Sequence, residues 1–260
     1  MPRKEIISGK DDNIFEGITS ISALINAKNT NNNDRKIIKI LIDKSKINAK
    51  WHQIAFLKSA ALKYDFIIEY VEFYVIDELA TSTSHGGFLA LCSDRHYIDV
   101  KSLTPSEQGF YVYLDGIEDP YNFGYTLRSL YAAGADGIIL PERNWLSSAG
   151  IVARSSAGAS ELFNIYISNS FDEIYDCFHA SKYRVVAAGI RDSVSLFEAD
   201  LQKPILLVVG GEKRGISSAV LNKCDITVRI DYGRDFRGSL SASSAATVLG
   251  FEVMRQNKIK

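Results

Sequence analysis

Residues 110–129 read FYVYLDGIEDPYNFGYTLRS, and the fold turns on this stretch. Its opening residues are apolar and aromatic enough for a buried strand, Gly116 and Pro120 break the run, and the residues beyond Pro120 have helical spacing. Asn122 stands where it can cap that helix, with Arg128 about a turn and a half further in. A capped helix with a solvated arginine accounts for the local sequence. The alternative is an amide and a guanidinium at a strand end, where arginine can grip a phosphate bidentately.

The same strand, loop and helix unit recurs along the chain. Short apolar runs at 137–140, 164–167, 183–188, 205–209 and 227–230 read as buried strands, and helical spacing recurs at 122–133, 147–156, 170–181, 217–223 and 241–255. Alternation of this kind predicts an α/β fold, a mostly parallel sheet with helices on both faces. Ligands in such sheets bind beyond the carboxyl ends of the strands, so chemistry belongs in the loops at those ends.

Two more of those loops stand out. Residues 208–215, VVGGEKRG, place Gly210, Gly211 and Gly215 where backbone can approach a ligand closely, and Ser217 begins a helix that offers an anion site. The loop is neither a GxxxxGK[ST] phosphate loop nor a GxGxxG fingerprint, which disfavours a nucleoside-triphosphate enzyme. Glu212 between the glycines reads equally as a turn residue. Residues 230–246, IDYGRDFRGSLSASSAA, lead into the last helix with small residues that allow tight packing, while Ser239 and Ser241 can also donate to a ligand.

The first hundred residues have a different pattern. Helices are expected at 18–27, 51–64 and 77–80, strands at 36–42, 65–74 and 87–92, a polar turn at 29–33 and a linker at 93–108, giving a small α/β module. Charge is polarised along it. Residues 28–63 hold nine basic and two acidic side chains, whereas residues 64–104 hold two basic and seven acidic. The whole chain of 260 residues carries 30 Lys plus Arg against 31 Asp plus Glu, which argues against non-specific coating of nucleic acid but leaves room for one basic face.

Cys92, Cys177 and Cys224 are too scattered for a disulfide framework, and His52, His85, His96 and His179 lack ligand spacing, so no metal is expected. No apolar run approaches the roughly 20 residues that span a bilayer, which predicts a cytoplasmic protein with no membrane partner.

Taken together, the order and spacing of residues 114–129, 208–215 and 230–246 resemble the three signature motifs of the SpoU/TrmH branch of the SPOUT RNA methyltransferases. Residues 152–159, VARSSAGA, resemble that family's segment ending in Ser-Ala-Gly-Ala, and residues 85–90, HGGFLA, resemble the end of the small substrate-binding domain in its longer members. The resemblance implies a ribosomal-protein-L30-like RNA-binding domain at 1–104, with a methyltransferase domain containing a deep trefoil knot at 108–260. It implies methyl transfer from S-adenosylmethionine to a ribose 2′-hydroxyl of ribosomal or transfer RNA by a homodimer whose sites form at the subunit interface.

By motif position the resemblance implies a catalytic centre of Asn122, Arg128, Glu212, Ser239 and Ser241. The cofactor would lie against Gly189, Val209, Gly210, Gly211, Gly215, Ile230, Ser239 and Leu240. One departure stands out: the third motif usually begins Ser-Leu-Asn, and this chain has Ser239-Leu240-Ser241. Serine cannot present both an amide donor and an acceptor. That departure keeps a second expectation open, a knotted RNA-binding or ribosome-assembly factor that no longer methylates.

Overall fold

The computed structural model of the chain describes residues 13–28, 33–142, 148–211 and 214–258. They divide into two compact units, Met1–His96 with Asn144–Leu162, and Tyr97–Arg143 with Phe163–Lys260. The segment 144–162, continuous in sequence with the second part of the chain, therefore groups with the first unit.

In the first unit, strands β1 (Ile14–Glu16), β2 (Ile37–Asp43), β3 (Ile67–Val71) and β4 (Phe88–Cys92) form a sheet of order β1-β4-β2-β3, antiparallel except between β2 and β3. Helices α1 (Gly17–Ala27) and α2 (Trp51–Tyr64) close one face around Phe15, Leu24, Ile40, Leu57 and Phe88. Helix α3 (Phe73–Leu79) puts Ile76 against Leu41 and Leu89 on the other. The strand expected at 65–74 is shorter and the helix expected at 77–80 begins earlier. Asp65 ends α2 in the left-handed region, φ 53°, and the extended Glu72 starts α3. The turn expected at 29–33 lies outside the described residues except for Asn33.

Helices α4 (Pro120–Ala132), α5 (Ala149–Ser155) and α6 (Ala159–Leu162) come next in chain order, and the last two belong to the first unit. Gly150 leaves no room for a Cβ against the backbone of Ile14, and Gly158, φ +86°, lies against Ala23. A buried ion pair fastens the same region: Arg35 Nε lies 3.2 Å from Glu161 Oε2, and Asn33 donates to the same carboxylate at 2.6 Å. Burial alone would push Glu161 up, but Arg35, Arg95 and Asn33 hold it below the ordinary carboxylate range.

The second unit is built on one sheet. Its strands are β5 (Ile98–Asp99), β6 (Phe110–Asp115), β7 (Gly137–Leu140), β8 (Asn164–Ile167), β9 (Arg184–Ala188), β10 (Val194–Ser195), β11 (Ile205–Gly210) and β12 (Ile226–Arg229). Their order is β10-β12-β9-β11-β6-β7-β8-β5, and every ladder is parallel. Period-two alternation sends Tyr111, Tyr113, Leu206 and Val208 to one face, under Phe178 of α7 (Phe171–Ala180) and Val220 of α8 (Ser218–Leu221). The opposite face carries α4 and α9 (Ala242–Gln256), where a Cβ on Gly250 would stand 3.0 Å from Leu130 and 3.9 Å from Phe110. The α/β architecture with helices on both faces is thus borne out. The expected linker at 93–108 instead contributes β5 as an edge strand and a 3-10 turn, Val100–Ser102. Among the described residues no helix is long and apolar enough to cross a membrane.

Candidate functional site at the carboxyl edge of the parallel sheet

The central ladder brings the first two loops together. Gly210 pairs with Asp115 at the end of β11 and β6, and the Gly211 N–H donates to the Asp115 carbonyl at 2.6 Å. A Cβ on Gly211 would run into the carbonyl of Gly116, and one on Gly210 would stand 2.5 Å from Gly215 as the loop folds back. The Gly211 to Gly215 bridge closes that return, with Gly215 at φ +62°. Glycine is required at 210 and 211 by contact with the chain's own backbone, where the sequence predicts close approach to a ligand. Val209, within β11, is buried. Glu212 lies outside the described residues.

Two neighbouring loops complete the edge. The Gly189 N–H, at the end of β9, donates to Val228 at 2.9 Å, and Ile230 comes after β12 half-buried. Ile230 lies just past the strand expected to include it. Arg229 donates to the Ser193 carbonyl at 2.5 Å and pairs with Asp231 at 2.9 Å. Asp231 also accepts from the Ser195 hydroxyl, and this bond and Arg229 hold its carboxyl below the usual range. Leu240 is 37% exposed, and its N–H donates to the Tyr232 hydroxyl at 3.1 Å, which ties the two ends of the third loop. Ser239 is exposed beside it. Glycine backbone together with the half-exposed apolar Ile230 and Leu240 fits a nucleoside-bearing cofactor, which needs close main-chain approach and an apolar surface for its base.

Ser241 is the N-cap of α9, accepting from the Ser244 N–H at 3.1 Å and bonding the hydroxyls of Ser243 at 2.9 Å and Ser244 at 3.0 Å. Its oxygen therefore has a structural task. The cap of α4 differs from expectation. Asp119 caps it, accepting from the Asn122 N–H at 2.8 Å, with Pro120 as first helical residue, so Asn122 lies inside the first turn. An aspartate with proline directly after it is the stronger start signal, and it was present in the sequence. Arg128 is exposed, roughly 9 Å along the helix from Asn122 and about 120° around it. The helix does not bring these two side chains to one face.

A cavity of about 490 Å³ bordered by Tyr183, Arg184 and Asp225 opens at the amino ends of β9 and β12, the opposite edge, and contains none of the candidate residues. Burial pushes the thiol of Cys224 up to about 12 and raises those of Cys92 and Cys177, which disarms all three as nucleophiles. Among the described residues no group of three or more His, Cys, Asp or Glu could hold a metal ion.

Residues 109–251 match the SpoU rRNA Methylase family. The chain is 31% identical over 190 residues to the 23S rRNA (guanosine-2'-O-)-methyltransferase RlmB of Shewanella oneidensis, covering 71% of this chain and 76% of that one. It superposes on the crystal structure of an RNA 2'-O ribose methyltransferase with a TM-score of 0.76 and 25% identity, covering 94% of this chain and 88% of the other. An AdoMet-bound rRNA methyltransferase from Sinorhizobium meliloti also gives a TM-score of 0.76, at 24% identity over 95% of this chain and 88% of that one.

Proposed function

Because the chain belongs to the SpoU rRNA methylase family and is an S-adenosylmethionine-dependent RNA methyltransferase, we propose that it methylates a ribose 2′-hydroxyl, in ribosomal rather than transfer RNA. The observation that carries this reading is the meeting of the loops after β6, β9, β11 and β12 at one edge of the sheet, locked by the bond from Gly211 to Asp115. Backbone at Gly189, Val209, Gly210, Gly211 and Gly215 would hold the cofactor, with Ile230 and Leu240 against its base and Ser239 beside them. When bound, S-adenosylmethionine supplies an electrophilic methyl group on a sulfonium.

A ribose hydroxyl is a weak nucleophile at neutral pH, so the protein must align it and stabilise the alkoxide that develops. Arg128 suits that role. A guanidinium keeps its proton, with a pKa above about 12, so it acts as a fixed cation beside the hydroxyl and the adjacent phosphate rather than as a base. Asn122, Glu212 and Ser239 would orient the nucleotide and the second loop, and Ser241 would act chiefly through the start of α9.

The exposure of Arg128 and its separation from Asn122 favour a site completed by a second copy of the chain. Tyr125 on α4 is 49% exposed and Phe251 on α9 40% exposed, an apolar surface suited to a homodimer. A deep trefoil knot in residues 108–260 belongs to the same reading. So does RNA presentation by the first unit, whose basic stretch carries an exposed Trp51 ring stacked 3.4 Å from His52. The test is to map 2′-O-methyl positions in total RNA with and without the protein: one position should be lost in its absence, and an unchanged map contradicts the reading.

A further inference from the structure

The loop from Asp231 to Leu240, between β12 and α9, is exposed at every residue yet fastened at both ends. At its start the Asp231 carboxylate is held by Arg229 and by the Ser195 hydroxyl. At its end Ser241 caps α9, and the Leu240 N–H donates to the Tyr232 hydroxyl at 3.1 Å. Between these anchors stands a pair of rings: the centroids of Tyr232 and Phe236 are 5.9 Å apart, with the planes inclined at 50°. A Cβ on Gly238 would run into the Phe236 ring, so that ring lies directly on glycine backbone. Held by Tyr232 and Gly238, it is still 59% exposed.

A phenyl ring has no polar tip to hydrate, so one fixed on an exposed loop rather than tucked against the sheet keeps an apolar face for a partner. The charge beside it says which kind. Arg234 and Arg237 flank the ring in sequence, both are exposed, and neither has an ion-pair or hydrogen-bond partner among the described residues. Asp231 is already paired with Arg229, which leaves Asp235 as the loop's one unpaired carboxylate against two guanidiniums. The place of the loop is the third observation. Ile230 and Leu240, which bracket it, are the residues assigned above to the base of the cofactor, so the ring stands beside the point of methyl transfer.

We propose that Phe236 stacks a base of the RNA substrate next to the methylated nucleotide, with Arg234 and Arg237 on the adjoining phosphates. Single-stranded RNA offers that combination, an unstacked base with a phosphate on either side of it. An apolar peptide would leave both guanidiniums unanswered, and a free anion would leave the ring unanswered. Stacking on a phenyl ring tolerates every base, so the loop selects for an unpaired neighbour rather than for a fixed sequence. The position of this base beside the target nucleotide rests on the methyl-transfer reading, whereas the stacking itself rests on the loop.

The experiment places 4-fluorophenylalanine at position 236 of the full chain and follows its 19F signal during titration with a short oligoadenylate and, separately, with an abasic ribose-phosphate strand of the same length. Oligoadenylate should shift the signal saturably, whereas the abasic strand should bind more weakly and leave it unmoved. Phe236→Ala should weaken oligoadenylate binding about tenfold, and Phe236→Trp should retain it. Arg234→Ala and Arg237→Ala should each lower the log-log salt slope of binding by about 0.7. In Phe236→Ala the melting temperature and the calorimetric affinity for S-adenosylmethionine should match the parent, because the ring is largely exposed. A signal unmoved by oligoadenylate, or equal oligoadenylate binding by Phe236→Ala, overturns the proposal. Loss of cofactor affinity in Phe236→Ala with oligoadenylate binding intact overturns it in favour of a ring that serves the cofactor. None of these readouts needs methyl transfer, so failure of the ribose reading is distinguishable from failure of the stacking loop.

Discussion

The backbone N–H of Gly211 donates to the carbonyl oxygen of Asp115 across 2.6 Å, joining two loops that are almost a hundred residues apart in the chain. The contact exists because neither Gly211 nor Gly116 brings a side chain to it, and it fixes the edge on which the proposed cofactor rests.

Gly211→Ala therefore drives a methyl group into the Gly116 carbonyl, with backbone on both sides. An overpacking cost of about 1–3 kcal/mol is expected, together with loss of S-adenosylmethionine binding in a calorimetric titration. Gly215→Ala has open space around its Cβ and faces only its positive φ, so it should cost about 1 kcal/mol and weaken binding less. Equal cofactor affinity in Gly211→Ala and the parent would remove this loop from the cofactor site.

Arg128→Ala should reduce methyl incorporation into RNA by at least about a hundredfold, roughly 2.7 kcal/mol of transition-state stabilisation. The side chain is exposed, so the melting temperature should stay within a degree or so of the parent. Retained turnover would take the guanidinium out of the reaction, and a matching loss of stability would make its role structural.

Ser241→Asn separates capping from catalysis. Asparagine caps a helix about as well as serine, so stability should be unchanged, whereas Ser241→Ala should cost about 1 kcal/mol in a denaturation curve. Turnover of Ser241→Asn within a few-fold of the parent fits a working enzyme with a serine variant of the third motif. Activity that appears only in the asparagine variant would identify a lapsed one.

Acid should loosen the first unit through Glu161 and Glu16. Burial raises both carboxyls, but charged and hydrogen-bonding partners hold the folded values below the unfolded ones. Their stabilisation is then fully present above the unfolded value of about 4.3 and is lost as pH falls through the depressed folded values. Urea midpoints should drop between pH 7 and about pH 3.5 more steeply in the parent than in Glu161→Gln. That variant should itself lose about 3–5 kcal/mol at pH 7, because Arg35 is left buried without its counter-charge. Parallel pH profiles would contradict this role for Glu161.

The parallel sheet was legible because its strands are continuous apolar runs: Gly137–Leu140 and Asn164–Ile167 fall where periodicity places them. Ile98–Asp99 and Val194–Ser195 were not, since two-residue edge strands have no period and are defined by their neighbours. The grouping of Ala149–Ser155 with the first unit depends on Gly150 and Gly158 meeting α1 and β1, a tertiary fact that local spacing does not encode. At the site, the glycines announced themselves by type. The capping role of Ser241, and the distance between Asn122 and Arg128, required the helices in place.

Methyl transfer to ribose oxygen is tested most directly by the position of the label. RNA incubated with the protein and methyl-labelled S-adenosylmethionine is hydrolysed in alkali, which cleaves every linkage with a free 2′-hydroxyl. Label in an alkali-resistant dinucleotide, lost in Arg128→Ala, is the expected result. Label recovered on the bases of mononucleotides would contradict transfer to ribose.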